Sequence, residues 1–397
     1  MTLLHDIETL AQQHWNELNF PHLNKVIPAS CLVEFHLENA QKETIWIDQH
    51  TELCTETNLG YLFRSKTLYK TPVLPFSIQD YSQHKLILNC HQHDFIWSTD
   101  IPLRIYIRDN IKLFNTLRHS KVLIDQKIPG SIRPISLADE NDTHFRLPIL
   151  FCNRPENLTF LDIYPSKNSV LSTDTFEINF ESTLTTELYL HCTPIINQFE
   201  STSEPIALVE TKSEYEIIPQ YHISPDYLKL SNQFTKYITQ NKTPGILSLP
   251  ISCHQNKLYR HINNPEWSFY TENKENLASV KSITPWKPAI IPTHSPPLTE
   301  SLHFNYLHQH SPSVQANLLK HFFSSHHYGD SALIKDCLAQ IESIALSLRP
   351  ENRVNYHITF LEDHLLIPSL IDVIKQILSE YRPITVEVNL SYEISHP

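Results

Sequence analysis

The chain has 397 residues, of which 41% are hydrophobic, enough length and apolar content for two or three folded domains. Its 31 lysines and arginines stand against 43 aspartates and glutamates, and the resulting net charge of −12 would repel a phosphate backbone or an anionic membrane surface. We therefore expect no nucleic acid partner. The N-terminus lacks the positive charge of a signal peptide, and no apolar run approaches the roughly 18 residues of a spanning helix, so we also expect no membrane insertion.

The numbers and spacing of cysteine and glycine residues argue against two further kinds of protein, those with disulfide frameworks and those that bind nucleotide cofactors. Seven cysteines are scattered in apolar surroundings, and their odd number and unpaired spacing favour reduced, buried thiols in a cytosolic protein. Only four glycines occur, whereas backbone cradles for phosphates or dinucleotides need several glycines close together. We therefore expect neither a disulfide framework nor a cofactor.

The first part of the chain predicts one helix followed by a long β-rich stretch. In residues 2–20 apolar side chains recur every three or four residues, which predicts an amphipathic helix. From about residue 27 to 148, short alternating runs such as Leu103 to Arg108, punctuated by prolines, predict strands. A brief helix is expected at residues 111–118, because its apolar residues share one face.

The middle of the chain continues the strand pattern and then loses it. Residues 155–268 contain further strand candidates, including Phe176 to Phe180 and the apolar run from Leu188 to Ile196. These predict a second β-rich unit. Five prolines lie between residues 271 and 300, where they interrupt regular elements and favour an extended connector.

The last hundred residues mix helices and strands. A helix is expected from Ser311 and Pro312 onward, and a second helix from residue 330 or 331 with an apolar stripe that reaches Ile344. Alternation at residues 354–360, a helical stripe, and alternation again at 384–392 predict a βαβ unit, with a right-handed crossover if the strands are parallel.

These segments together predict an α+β fold class, with a β-rich multi-domain body, a short N-terminal helix and a C-terminal helical and βαβ unit. We predict four parts. They are an N-terminal helix with a β-rich domain at 1–150, a β-rich middle domain at 151–270, a proline-rich connector at 271–300 and an α/β domain at 301–397.

Potential metal ligands cluster at Cys90, His91, His93 and Asp94. On a strand His91 and His93 share one face, while Cys90 and Asp94 point the other way, so one ion would need further ligands from elsewhere. A surface strand or turn is the favoured interpretation, and a metal-binding module or metalloenzyme using Cys90, His91 and His93 is the alternative. No other catalytic spacing is present, so we expect no enzymatic activity and no catalytic residue.

The most specific pattern begins inside the run Leu188 to Ile196 and continues to Pro219. A threonine-proline step is followed by an asparagine and a phenylalanine, then by a Glu-Pro-Ile step and a Glu-Tyr strand that ends in proline. We expect the proline of the first step to end regular pairing, the asparagine to bond the turn backbone and the phenylalanine to be an apolar anchor. The residues of this pattern are Thr193, Pro194, Asn197, Phe199, Glu204, Pro205, Glu214, Tyr215 and Pro219.

This pattern resembles the central signature of the TssF family, also called VasA or ImpG, of type VI secretion systems. The resemblance implies a structural wedge subunit of the baseplate, which surrounds a spike hub and nucleates the contractile sheath. It also implies a cytoplasmic location, in a baseplate docked at the inner membrane complex. The implied partners are a TssG-like subunit, a second TssF-like copy, TssE-like and TssK-like subunits and the spike hub. An alternative is the equivalent wedge protein of a phage-tail-like particle.

Overall fold

In the computed structural model, the described residues fall into segments separated by gaps. They are residues 27–37, 43–108, 110–135, 154–171, 174–207, 216–220, 227–230, 246–248, 250–255, 258–262, 265–270, 278–289, 311–325, 332–349, 353–364, 366–368, 370–371, 374–375 and 387–396. The helix predicted at residues 2–20 lies outside them.

A six-stranded antiparallel sheet combines strands that are far apart in sequence. Its order is β22-β3-β4-β16-β1-β23, so β16 pairs with β1, the first described strand, which lies some 160 residues earlier in the chain. The strands are β1 (Ser30–Leu37), β3 (Glu52–Glu56), β4 (Leu62–Thr67), β16 (Cys192–Ile196), β22 (Ser268–Phe269) and β23 (Ala278–Ser282).

An eight-stranded antiparallel sheet forms the second layer, in the order β15-β9-β12-β11-β10-β14-β7-β6. The strands are β6 (Phe76–Ser82), β7 (Lys85–Cys90), β9 (Leu103–Ile107), β10 (Val122–Ile124), β11 (Ile128–Pro134), β12 (Phe160–Pro165), β14 (Thr175–Phe180) and β15 (Leu188–Leu190).

Four small sheets extend these layers. Two are pairs of three-residue strands, β2 (Ile45–Ile47) with β5 (Thr71–Val73), and β8 (Phe95–Trp97) with β13 (Ser169–Leu171). The others are the pair β18 (Ile206–Ala207) and β20 (Ile246–Leu247), and a three-stranded sheet of β17 (Phe199–Thr202), β21 (Pro250–His254) and β19 (Tyr227–Leu230).

Apolar alternation predicts several of these strands well. In β14 the residues Phe176, Ile178 and Phe180 are buried while their neighbours are more exposed, as expected of a strand with one face on a core. Strand β9 also forms where predicted, but all five of its residues are buried, including Arg104 and Tyr106. Both faces of β9 are covered, which a count of apolar residues alone does not reveal.

The short helix expected at residues 111–118 is present as α1 (Ile111–Leu117). Asn110 caps it, because the Asn110 side chain accepts a hydrogen bond from the Leu113 amide. Leu113, Phe114 and Leu117 are buried against the eight-stranded sheet. Two short 3₁₀ helices are also described, at Pro155–Leu158 and Leu258–His261.

The C-terminal part contains α2 (Pro312–Ser325), α3 (Ala332–Ala339) and strands β24 (Ile341–Arg349), β25 (Arg353–Glu362) and β26 (Glu387–His396). Helix α2 begins at the predicted proline. The helix predicted to reach Ile344 ends at Ala339 instead, and Ile341 and Ile344 lie on a strand. Both residues are buried. A short buried apolar run is compatible with a helix or a strand, and only the pairing of this segment with β25 shows that it is a strand.

The sheet order in this part is β24-β25-β26, and β25 and β26 are parallel. The described residues between them, within 366–375, are largely buried in the same core as α2 and α3. Ile111 of α1 and Leu158 of the first 3₁₀ helix also pack against this core. The C-terminal layer is therefore held against the eight-stranded layer by apolar contact.

Strand pairing joins the two β-rich units that the sequence pattern predicts at 1–150 and 151–270. Both large sheets contain strands from either side of residue 150. Within the predicted connector, residues 278–289 are described, and β23 pairs with β1 ahead of the first proline of that segment, Pro285. The expectation that prolines interrupt every regular element there is therefore wrong for β23. No helix in the described ranges combines the length and apolar character needed to cross a membrane.

Candidate functional site

The apolar run from Leu188 to Ile196 is two strands rather than one. Strand β15 belongs to the eight-stranded sheet and β16 to the six-stranded sheet, and His191 is the single residue between them. The φ angle of His191 is 51°, which turns the chain sharply and is uncommon for a residue other than glycine. The chain therefore passes from one sheet to the other at His191.

His191 is buried, and its ring and backbone bond three neighbouring segments. Its Nε2 accepts a hydrogen bond from the Leu74 amide at 3.2 Å, its amide donates to the Arg104 carbonyl, and its carbonyl accepts from the Phe35 amide. Burial, followed by the nearby His36, lowers the pKa of His191 from 6.5 to about 3. The ring is therefore neutral at physiological pH and acts as a hydrogen-bond acceptor.

Thr193 of the predicted signature is fully buried and holds Tyr69. The Thr193 hydroxyl accepts from the Tyr69 amide at 3.2 Å and lies 3.4 Å from the Tyr69 carbonyl, to which it can donate. The Tyr69 hydroxyl in turn donates to the Asn157 carbonyl at 2.6 Å, and its ring meets Phe160 edge to face. One threonine thus fixes an aromatic side chain that reaches from the six-stranded sheet to β12.

Arg104 and Asp162 form a buried ion pair directly across the β9–β12 pairing. The guanidinium binds both carboxylate oxygens, at 2.8 and 2.9 Å, and also donates to the Lys70 carbonyl at 2.6 Å. Removal of one partner from such a pair typically costs about 3–5 kcal/mol, because the other charge stays buried. We call the group Tyr69, Arg104, Asp162, His191 and Thr193 the inter-sheet junction.

Pro194 lies inside β16, which corrects the expectation that it ends regular pairing. It stands opposite Leu32 of β1, and its carbonyl accepts from the Leu68 amide at 2.8 Å on the other side. The pairing of β16 with β4 begins only at Ile195. The missing N–H of Pro194 therefore faces a position beyond the end of that ladder, where the strand needs no donor.

Asn197 also differs from expectation, since its side chain bonds distant segments rather than its own turn. Its Nδ2 donates to the Arg64 carbonyl at 2.7 Å, and its Oδ1 accepts from the Gln255 amide. The Gln255 side chain returns two bonds to the same strand, at the Arg64 amide and the Leu62 carbonyl. These two buried amides clamp β4 between β16 and β21.

Phe199 is fully buried, in agreement with its predicted place as an apolar anchor. The Arg64 guanidinium lies over the Phe199 ring at 4.5 Å and over the Tyr270 ring at 3.9 Å. Arg64 also pairs with Glu52 and donates to the Glu200 carbonyl at 3.2 Å. Phe199 thus contacts the six-stranded sheet through the Arg64 guanidinium of β4, which lies between the Phe199 and Tyr270 rings.

The remaining signature residues lie farther along and are partly described. Glu204 and Pro205 are exposed, and the Glu204 amide donates to the Ile218 carbonyl at 2.7 Å. Pro219 pairs with Ser203 in an isolated bridge. Glu214 and Tyr215 lie outside the described residues. The structure therefore joins the middle of the signature segment, at Ser203, to its last residue, Pro219.

The candidate metal ligands are not brought together. The Cys90 thiol is buried and bonds the Gln92 carbonyl, His91 bonds Ser77, and His93 lies 3.5 Å from Asp94 on the surface. Among the described residues no three His, Cys, Asp or Glu side chains are grouped as metal ligands. The six described cysteines are buried, as the sequence predicts.

Sequence reasoning overlooked three members of the junction, His191, Arg104 and Asp162. His191 stands between leucine and cysteine in an apolar run, and Arg104 stands between leucine and isoleucine. A lone polar residue inside such a run is a signal for a buried partner, but the partner itself, Asp162 for Arg104, cannot be read from spacing. The described junction is closed and hydrogen-bonded, and it suits rigid positioning of two layers.

Comparisons with known proteins agree with this arrangement. Residues 170–230 match the family model described as "Type VI secretion system, TssF". The fold matches a chain of the type VI secretion system TssK-TssF-TssG baseplate subcomplex, solved by cryo-electron microscopy, with a TM-score of 0.73 and 14% identity. The match covers 99% of this chain and 93% of that one. None of the curated proteins compared matches the sequence.

The layered sheets define a β-rich protein that has the fold of a chain in this baseplate subcomplex. The matched segment contains β14 to β19, and so includes the crossing at His191 and all nine signature residues. In sequence, residues 170–230 are similar to the TssF family of type VI secretion systems.

Proposed function

We propose that the protein is a structural wedge subunit of the type VI secretion baseplate and has no catalytic role. The observation that carries the proposal is the family match over residues 170–230, because this segment contains the crossing between the two large sheets. The polar side chains of the inter-sheet junction are turned inward and bonded to each other or to backbone. Such an interior fixes the shape of a subunit, and shape is what an assembly component supplies.

A wedge subunit needs surfaces for several neighbours at once. The partners we propose are a TssG-like subunit and a TssK-like subunit, since the solved TssK-TssF-TssG baseplate subcomplex contains a chain of this fold. A second copy of this chain, a TssE-like subunit and the spike hub complete the proposal. We place the assembly in the cytoplasm, docked at the inner membrane complex. The net charge of −12 suits association with proteins rather than with nucleic acid.

Co-expression tests the proposal directly. The full chain, expressed alone, is expected to be poorly soluble or to self-associate, because obligate interfaces are more apolar than ordinary surface. Co-expression with a TssG-like subunit from the same secretion system should give a soluble complex that elutes as one species in size-exclusion chromatography. A TssK-like subunit should then bind the complex. An unrelated subunit of similar size and charge serves as the control.

A folded chain that binds none of these subunits would overturn the proposal. Folding is checked independently by the far-UV circular dichroism of a β-rich protein. The spectrum distinguishes a folded chain that does not bind these subunits from a chain that fails to bind because it is misfolded.

A further inference from the structure

Most open sheet edges in the described structure are guarded against pairing with another chain. An edge strand exposes unpaired N–H and C=O groups, and proteins guard it by short length, lysine, proline or a bulge. In the two large sheets, β22 and β15 are only two and three residues long, β6 has a register shift after Ile78, and β23 carries Lys281. In the C-terminal sheet, β24 has a register shift after Ile341.

Strand β26 has none of these guards. It is ten residues long, its sequence EVNLSYEISH holds no lysine, proline or glycine, and its pairing with β25 shows no register shift. Among the described residues, β25 pairs with one edge of β26 and no strand pairs with the other. The strand is long enough to offer several backbone hydrogen bonds in a row.

The two faces of β26 differ in chemistry. On one face Leu390 packs against the core and the Tyr392 ring meets Phe360 edge to face, with 42% of Tyr392 exposed. On the other face Ser391 bonds His357, and Glu393 lies 3.5 Å from His357 with 61% of its side chain exposed. A strand added here would meet an apolar row on one face and an acidic, polar row on the other.

We propose that the free edge of β26 binds an extended segment of a partner protein, which pairs as a fourth strand and carries alternating apolar and basic residues. Its apolar side chains would lie beside Tyr392 and its basic side chains beside Glu393. Backbone hydrogen bonds supply most of the affinity, and the alternation sets which face the segment presents.

Charge favours a different protein over a second copy of this chain as the occupant. The chain carries a net charge of −12, and β26 itself holds Glu387 and Glu393 without a lysine or arginine. Two copies paired through this edge would place their two Glu393 carboxylates on adjacent strands, where like charges are unfavourable. A basic segment has complementary charge.

The test uses the full chain and a synthetic peptide of alternating valine and lysine. Hydrogen exchange measured by mass spectrometry should show the β26 amides slowed about tenfold or more on peptide addition, since each new backbone bond protects an amide. The same peptide with alternate backbone amides N-methylated keeps its charge and loses its donors. It should bind about tenfold more weakly or worse.

A matched pair of variants tests the position. Glu393→Lys reverses an exposed charge on β26 and should weaken peptide binding severalfold. Asp336→Lys makes the same kind of charge reversal at an exposed site on α3, outside the sheet, and should have a smaller effect. Equal binding of the N-methylated peptide, equal effects of the two variants, or unprotected β26 amides would each overturn the inference.

Self-association is a further decisive result. If sedimentation shows a dimer of the full chain that Glu393→Lys disrupts, the edge binds a second copy and the proposed basic partner is wrong. The inference is independent of the baseplate proposal. Binding of the peptide without binding of TssG-like or TssK-like subunits would sustain the edge site while overturning the baseplate function, and the opposite pattern would do the reverse.

Discussion

At the scale of single residues, buried polar side chains determine how the two large sheets meet. His191, Thr193 and Arg104 each bond backbone atoms of another segment, so each fixes a position rather than filling space. A buried polar group that loses its partner costs more than the bond contributes when made. These positions therefore tolerate substitution poorly even though no ligand contacts them.

His191 makes stability depend on pH. Its pKa is about 3 in the folded chain and near 6.5 in the unfolded chain, so the unfolded state takes up the proton first as pH falls. The contribution is complete above about pH 6.5 and is lost toward pH 3. We expect a loss of about 3 kcal/mol in the free energy of unfolding between pH 7 and pH 4.5, measured by urea denaturation.

His191→Gln should flatten this pH dependence, since glutamine can accept the Leu74 bond without titrating. The control is His93→Gln, because the His93 side chain is 72% exposed and its loss should leave the curve unchanged. An unchanged slope in His191→Gln would show that other groups cause the acid sensitivity.

At the scale of elements, Gly130 determines how closely β10, β11 and β12 pack. It pairs with Val122 on one side and Pro165 on the other. A Cβ at this position would lie 2.6 Å from Val122 Cγ2 and 3.2 Å from the Tyr164 carbonyl oxygen. Both neighbours are held in strands, so the added methyl group forces them apart.

We expect Gly130→Ala to lower the free energy of unfolding by about 1–3 kcal/mol, as overpacking does. The neighbouring exposed Ser131→Ala should change it by less than about 0.5 kcal/mol. Equal urea midpoints for the two variants would contradict the close approach at Gly130.

The sequence predicts a helix or strand well when apolar residues within that segment repeat at the spacing of the element. Strand β14 and helix α1 form as expected because their apolar spacing matches one buried face. The apolar run from Leu188 to Ile196 predicts one strand, but the structure has two. The division at His191 could not be predicted, because it depends on two sheets whose other strands lie far away in the sequence. The prediction that Pro194 ends strand pairing was wrong for a related reason. Proline lacks a backbone N–H, and whether β16 needs an N–H at this position depends on where its neighbour β4 ends.

At the scale of the whole molecule, cysteines report on the integrity of several cores. Burial raises the pKa of Cys253 to about 11 and that of Cys337 to about 12, and it also raises the pKa of Cys31 and Cys192. The thiolate is the reactive form, so native thiols at these sites should react slowly.

We expect these four cysteines to react with a thiol reagent at pH 8 at least about a hundredfold more slowly in native protein than in urea. Peptide mapping by mass spectrometry assigns each modified site, and the urea sample shows that every thiol can be modified. Fast labelling of Cys31 or Cys192 in native protein would mean that the six-stranded sheet opens readily.

The interleaving of the six-stranded sheet also bears on how the protein is made. Strands β1, β3 and β4 leave the ribosome early, but β16, their central neighbour, and β22 and β23 at the two edges come much later. At about 5–20 residues per second, the roughly 120 residues between β4 and β16 take about 6 to 25 s to synthesise. During that interval β1 has no pairing partner within its own sheet. The nascent chain therefore presents an apolar strand to chaperones well before its neighbours exist.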